Sequence, residues 1–143
     1  MRIFLDCNVL LDVGLQREPF YHTSSQLLDY LEIHKNIGCI AWHSLATFYY
    51  IAAKSKNQPL AKQFISDLCQ FIYVVPTTNS DLLIALTLPI SDFEDAMQCA
   101  AAMNCEATFI VTRNLADYQN APIQAVTPEQ VLTIMIGSTS RLG

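Results

Sequence analysis

The sequence predicts an α/β protein of three layers (α/β/α), in which helices cover both faces of a central parallel sheet of about four to five strands. Short apolar segments suited to buried strands alternate along the chain with longer segments of helical periodicity. Strands and helices that alternate in this way build parallel sheets. The chain has 143 residues, of which 52% are hydrophobic, enough for a sizeable core. We expect one domain over residues 1–136 and a disordered tail over residues 137–143.

The expected strands are short runs of aliphatic, aromatic and β-branched residues, which is typical of strands inside a sheet. The clearest run covers residues 71–75 and is stopped by Pro76. In chain order the predicted strands are residues 3–5, 39–42, 71–75, 108–112 and 123–126.

The predicted helices occupy the segments between the strands, and apolar residues recur in them three and four positions apart. They cover residues 24–34, 44–55 and 81–88, and further helices begin at Val9, Pro59, Ser91 and Pro128. In the helix over residues 44–55, Phe48 and Tyr49 form an aromatic face that we expect to pack in the core. Apolar helix faces such as this one also favour a homodimer.

The helix that begins at Ser91 has an acidic first turn. Ser91 suits the N-cap position, and Glu94, three residues later, completes a capping box. Asp92 and Asp95 are three positions apart, so their carboxylates project from one side of the turn. Negative charge stabilises a helix N-terminus by about 0.3–1 kcal/mol per group. A purely structural role for this turn therefore stays open beside a functional one.

Polar residues follow two of the predicted strands. Asp6 comes directly after the first strand, and Thr112, Asn114 and Asp117 lie at or beyond the end of the fourth. Loops after parallel strands open on one edge of the sheet, which is where ligands bind. Asp6 is alternatively the N-cap of the next helix. Asn8 either caps that helix or orients Asp6.

We expect the acidic helix turn to lie at this same edge, so that four carboxylates converge: Asp6, Asp92, Asp95 and Asp117. Carboxylates so close raise one another's pKa unless a cation compensates. Mg²⁺ and Mn²⁺ prefer oxygen ligands and share phosphate oxygens. The pattern indicates a metal-dependent phosphodiesterase or phosphotransferase. We expect Asp12 to be a solvated helix residue.

Composition narrows the class of protein. A net charge of −5 argues against a broad basic surface for nucleic acid. The five cysteines form no C-x-x-C pair and the three histidines no ligand spacing, so we expect reduced, mostly buried thiols in a cytosolic protein. No apolar run is long enough to span a membrane, and the first residues lack a basic segment followed by an apolar one, so we expect no signal peptide.

Three motifs resemble those of PIN-domain nucleases, in the same order and over nearly the whole chain. They are residues 5–12 (LDCNVLLD), 92–98 (DFEDAMQ) and 111–118 (VTRNLADY), and Pro122 with residues 127–129 fits the usual ending. The resemblance is closest to stand-alone bacterial PIN domains that act as toxins, which are ribonucleases paired with a small antitoxin. It implies a central parallel sheet, Mg²⁺ or Mn²⁺ dependence and RNA cleavage.

The resemblance also implies roles for individual residues. Asp6 and Asp95 would be metal ligands, Asp117 a further acid of the cluster, and Asp92 either a cap or a fourth acid. Asn8, Thr112 and Asn114 would support a metal ligand or a metal-bound water, or would contact the substrate. Arg113 would bind an RNA phosphate.

One feature departs from the family pattern. Many members carry a glutamate on the helix after the second strand, whereas Ser44 and Thr47 supply only hydroxyls there. This leaves open a catalytically weak domain that binds RNA or a protein. An enzyme with an aspartyl intermediate is disfavoured, because Asn8 replaces the second acid of an Asp-x-Asp pair and no lysine follows the fourth strand.

Overall fold

Five parallel strands form one sheet in the order β3-β2-β1-β4-β5. The computed structural model describes the backbone of residues 1–142 and the side chains of residues 1–138. The strands are β1 (Ile3–Leu5), β2 (Gly38–Ala41), β3 (Tyr73–Val75), β4 (Phe109–Val111) and β5 (Gln124–Val126). All five predicted strands are present, each within two residues of its expected bounds.

The central strand β1 has neighbours on both sides. Ile3 pairs with Gly38 of β2 and with Phe109 of β4. The chain moves outward from β1 first through β2 to β3, and later through β4 to β5. The strand order therefore reverses between β1 and β4, and the carboxyl ends of strands at such a reversal border the crevice in which α/β proteins bind ligands.

Seven α-helices and one 3₁₀ helix lie within residues 1–142. The α-helices are α1 (Cys7–Gly14), α2 (Tyr21–Ile33), α3 (Trp42–Ser55), α4 (Gln58–Leu68), α5 (Asn79–Thr87), α6 (Phe93–Asn104) and α7 (Pro128–Leu142). The 3₁₀ helix covers Leu115–Tyr118, in a segment expected to be a loop. None of these helices is long and apolar enough to cross a membrane.

The core has two large parts, one on each face of the sheet, and a small third cluster between α5 and α6. Ile3 and Leu5 of β1 belong to the part that includes α1, α2, α3, α4 and α7, whereas Phe4 belongs to the part formed with α6. Alternate residues of a strand point to opposite faces, so β1 is buried from both sides. The predicted three-layer architecture is confirmed.

The predicted faces of α3 and α6 also pack toward the core, with Phe48 buried and Tyr49 half-buried on α3. Phe48 of α3 is 1% exposed and stacks on Phe64 of α4 with ring centres 4.7 Å apart. Because Phe48 is used inside the chain, it offers no contact for a homodimer. On α6, Ala96, Cys99 and Ala100 are buried, which lets this helix approach its neighbours closely.

Several helix ends differ from expectation, including the start of α2, which is Tyr21 rather than residue 24. α1 begins at Cys7 rather than Val9, because Asp6 caps it. The N-cap of α6 is Asp92 rather than Ser91, and its side chain accepts the Asp95 N–H. The chain after Gly137 was expected to be disordered, but α7 continues to Leu142. One glycine costs a helix only about 1 kcal/mol relative to alanine, too little to end it. Residue 143 lies outside the described part.

Candidate active site

Asp6 lies at the carboxyl end of β1, beside the reversal of strand order. It is 4% exposed, and as the N-cap of α1 its Oδ1 accepts the Asn8 N–H at 3.4 Å. Asp6 can therefore act both as a helix N-cap and as a ligand-binding residue, because the capping carboxylate lies at the edge of the sheet where ligands bind. Asn8 takes part through its backbone.

Thr112 fixes the other oxygen of this carboxylate. The Thr112 hydroxyl donates to Asp6 Oδ2 at 2.8 Å, and it accepts the Asn114 N–H at 3.1 Å. Thr112 is fully buried at the end of β4. Because the hydroxyl has one proton, accepting from Asn114 leaves that proton for Asp6. The structure thus places Thr112 and Asn114 where the motif suggested, in support of Asp6.

Gln98 completes the surroundings of Asp6, although the sequence analysis assigned it no role. Its Nε2 donates to Asp6 Oδ1 at 3.2 Å, and its Oε1 accepts from the Cys7 N–H and the Ser44 hydroxyl, each at 3.4 Å. Gln98 is 1% exposed. The feature of the sequence that could have predicted this role is spacing, because Gln98 follows Asp95 by three residues and so lies on the same side of α6.

Asp95 lies in the first turn of α6 and is partly buried. Burial raises its pKa to about 6, and nearby carboxylates add to the shift. In order of effect these are Asp92, Asp6 and Asp117. Three of the acids predicted to converge, Asp92, Asp6 and Asp117, therefore lie near enough to Asp95 for their charges to raise its pKa.

Tyr118 contacts Asp95 from the 3₁₀ helix. Its hydroxyl donates to Asp95 Oδ1 at 3.3 Å, which favours the ionised carboxylate and partly opposes the raised pKa. Burial raises the pKa of Tyr118 itself, followed by the charges of Asp6 and Asp95. Tyr118 belongs to the closing motif but was given no role. It acts at this site as a hydrogen-bond donor.

Asp92 and Asp117 are more exposed than the other two acids. Asp92 accepts the Asp95 N–H at 3.1 Å, so its capping role is confirmed, and it also adds negative charge beside Asp95. Asp117 lies in the 3₁₀ helix, where its N–H bonds to the Asn114 carbonyl at 3.1 Å. Both carboxylates are exposed and lie near enough to Asp95 for their charges to raise its pKa.

Arg113 contacts Asp12 and an aromatic ring. Its Nε donates to Asp12 Oδ2 at 3.0 Å, and its guanidinium carbon lies 4.3 Å from the centre of the Phe20 ring. Asp12 was expected in solvent but is 1% exposed, and its Oδ1 has no hydrogen-bond partner. Burial raises the pKa of Asp12, and Arg113 opposes that shift.

The helix after β2 has no acid facing Asp6, in line with the departure noted in the sequence. The Ser44 hydroxyl donates to Gln98, and the Thr47 hydroxyl donates to the His43 carbonyl at 3.3 Å. Neither hydroxyl bonds to Asp6 directly. α3 therefore reaches the acidic cluster through Gln98.

The chemistry of these side chains fits a divalent cation. Burial raises the pKa of Asp95 and the charges of Asp92, Asp6 and Asp117 raise it further, and a bound cation would oppose both effects. Carboxylate oxygens suit Mg²⁺ and Mn²⁺. Within residues 1–138, no three Asp, Glu, His or Cys side chains are grouped closely enough to form a ready-made metal cage. An ion held by Asp6 and Asp95 would therefore complete its shell with water or phosphate oxygens.

Comparison with known sequences defines the family. The model of the PIN domain matches residues 2–116, which is most of the chain. The protein belongs to the PIN domain family. A search of curated protein sequences found no match.

Solved structures share the fold at low sequence identity. VapBC2 from Rickettsia felis, bound to a promoter DNA fragment, has a TM-score of 0.66 at 16% identity, covering 89% of this chain and 98% of that one. A toxin–antitoxin complex from Klebsiella pneumoniae gives 0.65 at 20% identity, with coverage of 90% and 98%. The sarcin–ricin loop cleaving toxin VapC20 from Mycobacterium tuberculosis gives 0.62 at 15%, with coverage of 76% and 86%.

Proposed function

We propose that this protein is a metal-dependent endoribonuclease and the toxin of a toxin–antitoxin pair. The observation that carries the proposal is the position of Asp6 at the carboxyl edge of the sheet, close enough to Asp95 for its charge to add to the raised pKa of that carboxyl, an effect that a bound cation would offset. Membership of the PIN domain family supports a nuclease. The similar folds of VapC20, named for cleaving the sarcin–ricin loop, and of the Klebsiella pneumoniae toxin–antitoxin complex support the toxin assignment.

Asp6 and Asp95 would hold Mg²⁺ or Mn²⁺. When bound, the ion supplies an activated water and stabilises in-line displacement at the phosphodiester phosphorus. Thr112 and Gln98 hold the two oxygens of Asp6, and Tyr118 holds Asp95. Asp92 and Asp117 add negative charge that strengthens attraction for the cation. The chain thus contributes orientation as well as ligands.

RNA would meet the protein through local contacts. With a net charge of −5, the chain has no excess of cations to attract phosphates over a broad area. Arg113 directly follows Thr112, and its ion pair with Asp12 uses Nε, so the outer nitrogens of the guanidinium are available to a phosphate. The stacking of Arg113 on Phe20 fixes its direction.

The proposal includes an antitoxin partner, a homodimer and a cytoplasmic location. The antitoxin rests on structural neighbours that are complexes of this kind. Five free cysteines, four of them buried, fit a reducing compartment. Because Phe48 is buried, the homodimer interface would form instead through exposed apolar residues of α5. These are Leu82, Leu83, Ile84 and Leu86.

A domain that binds RNA or protein without cutting is the second candidate. It is favoured by α3, which places the hydroxyls of Ser44 and Thr47 where many family members have a glutamate. Fewer acids weaken the hold on a cation. RNA binding without cleavage would distinguish this candidate.

The test is cleavage of a mixed single-stranded RNA with Mg²⁺, with Mn²⁺ and with chelator. Asp6→Asn and Asp95→Asn are compared with Asp29→Asn, a matched change at an exposed position of α2. We expect metal-dependent cleavage that both site variants lose by at least about 100-fold and the control retains. Cleavage that persists equally in all variants would reject the proposal. Binding without cleavage by the wild type would select the second candidate.

A further inference from the structure

The side-chain amide of Gln98 joins three elements around Asp6. It belongs to α6, it bonds to Asp6 and to the Cys7 N–H at the start of α1, and it accepts from Ser44 of α3. Gln98 and Ser44 are each at most 1% exposed. Burying a polar amide this deeply destabilises the fold unless the amide forms hydrogen bonds. Gln98 forms three.

Chemistry fixes which way the amide points. An ionised carboxylate only accepts hydrogen bonds, so the NH₂ group of Gln98 must face Asp6. Its oxygen then faces the Cys7 N–H and the Ser44 hydroxyl, both of which donate. The Cys7 N–H lies in the first turn of α1 and has no partner within the helix, so Gln98 satisfies it. Rotating the amide by 180° would lose the bonds to Asp6 and to the Cys7 N–H and would leave only the Ser44 hydroxyl, which can also accept.

The donors also limit how Asp6 can bind an ion. Among the described residues, Oδ1 accepts from Gln98 and from the Asn8 N–H, whereas Oδ2 accepts from Thr112 alone. Each carboxylate oxygen offers about two acceptor positions. Oδ2 therefore has the free position, and an ion would contact Asp6 through that single oxygen.

We infer that Gln98, braced by Ser44, is the positioning residue that holds Asp6 with Oδ2 turned to the metal. The inference rests on the proposed function, because it concerns the metal that the nuclease would use. In this chain α3 contributes through the Ser44–Gln98 bond rather than through an acid of its own. Gln98 thus sets the affinity of the site for the ion without touching it.

The experiment compares Gln98→Met with the wild type and with Gln26→Met, a matched change at an exposed position of α2. Methionine preserves the length of the side chain and removes both its donor and its acceptor. Mn²⁺ binding is measured by the electron paramagnetic resonance of the free ion, and RNA cleavage is measured as a function of Mn²⁺ concentration. Thermal unfolding in chelator verifies that each variant is folded.

We expect Gln98→Met to bind Mn²⁺ about 10–100-fold more weakly, as found when groups that orient metal ligands are removed. Saturating Mn²⁺ should restore most of the kcat, because the reacting groups are still present. Ser44→Ala should weaken binding in the same direction by a smaller factor, since the bond from Gln98 to Asp6 remains. It also provides the test if Gln98→Met does not fold.

Unchanged Mn²⁺ affinity in folded Gln98→Met, or in Ser44→Ala if only that variant folds, would overturn the inference. Equal loss of kcat at every Mn²⁺ concentration would also overturn it, because that result assigns Gln98 to the chemical step. A wild type that binds Mn²⁺ but cleaves no RNA would reject the proposed function, and the affinities would still decide the role of Gln98. A wild type that binds no Mn²⁺ would reject both.

Discussion

The Thr112 hydroxyl donates to Asp6 Oδ2 across 2.8 Å and so ties the carboxyl end of β4 to that of β1. These two strands are neighbours, and Leu5 pairs with Val111 immediately before the two polar residues. The same parallel pairing that buries the apolar strands thus brings a hydroxyl against a carboxylate. The site is a direct consequence of the strand register.

Replacing Thr112 by valine removes this hydroxyl while preserving side-chain shape. We expect Thr112→Val to lower RNA cleavage by about 10–100-fold, because Asp6 loses the donor that orients it. Thr112→Ser keeps the hydroxyl and is the matched control. Equal activities of the two variants would show that orientation through this bond is unimportant.

The pair of Asp12 and Arg113 predicts coupled effects on stability. Arg113→Met leaves the buried Asp12 carboxylate without its charge partner and should lower the free energy of unfolding by about 1–3 kcal/mol. Adding Asp12→Asn should recover much of that loss, since the amide carries no charge. Urea denaturation of the single and double variants measures the coupling. Strictly additive losses would contradict it.

The raised pKa of Asp95 predicts that the metal-free protein loses stability as the pH rises. The folded-state pKa of about 6 lies above the ordinary value of 3.8, so the folded state binds the proton more tightly. The free energy of unfolding should fall between about pH 4 and pH 6, where the unfolded state already releases this proton. In chelator at pH 7, Asp95→Asn should be more stable by about 1 kcal/mol, a value reduced for solvent screening.

Thermal unfolding in chelator at pH 4 and pH 7 checks this prediction. Saturating Mn²⁺ should reverse the order at pH 7, because only the wild type gains from binding the ion. A variant that is less stable than the wild type in chelator would mean that Asp95 stabilises the fold rather than straining it.

Asp81 has the opposite dependence on pH. Its Oδ2 accepts the Thr78 N–H at 2.8 Å in the cap of α5, and both its oxygens accept from Asn104 of α6. The Thr78 bond is the largest cause of a lowered pKa. A lowered folded-state pKa contributes stability that is present above the ordinary pKa and lost as the pH falls through the folded value.

Asp81→Asn should therefore be less stable than the wild type at pH 7, and the difference should shrink below about pH 4. Asp29→Asn on α2 is the exposed control and should show no such trend. Thermal unfolding at several pH values measures both. A difference between wild type and Asp81→Asn that stays constant down to pH 2 would contradict the assignment.

The strands could be predicted from the sequence because buried apolar runs leave a local pattern, and Asp6 and Asp95 became candidates because an acid after a strand and an acid in the first turn of a helix are also visible locally. The sequence could not show Gln98, since a glutamine within a helix looks the same whether it faces solvent or a carboxylate. Asp12 was misplaced for a related reason: the charge partner of its buried carboxylate is Arg113, which is 101 residues away. Contacts of this range exist only once the sheet is assembled.

Helix ends were predicted less well because capping depends on backbone angles. Ser91 and Asp92 both suit an N-cap, and only the chain geometry selects Asp92, which accepts the Asp95 N–H. The continuation of α7 past Gly137 reflects the small helix penalty of a single glycine. These differences affect only where helices begin and end, and the predicted order of helices and strands is unchanged.

The most direct test of the account is the anomalous scattering of Mn²⁺ in crystals of the wild-type protein. We predict a peak between Asp6 and Asp95, with Asp6 Oδ2 about 2.1 Å from the ion, similar to the distance for Mg²⁺. Asp6→Asn crystals soaked in the same way should show a much weaker peak. A site that stays empty at millimolar Mn²⁺, or a peak elsewhere that survives in Asp6→Asn, would contradict the central claim that these carboxylates hold the ion.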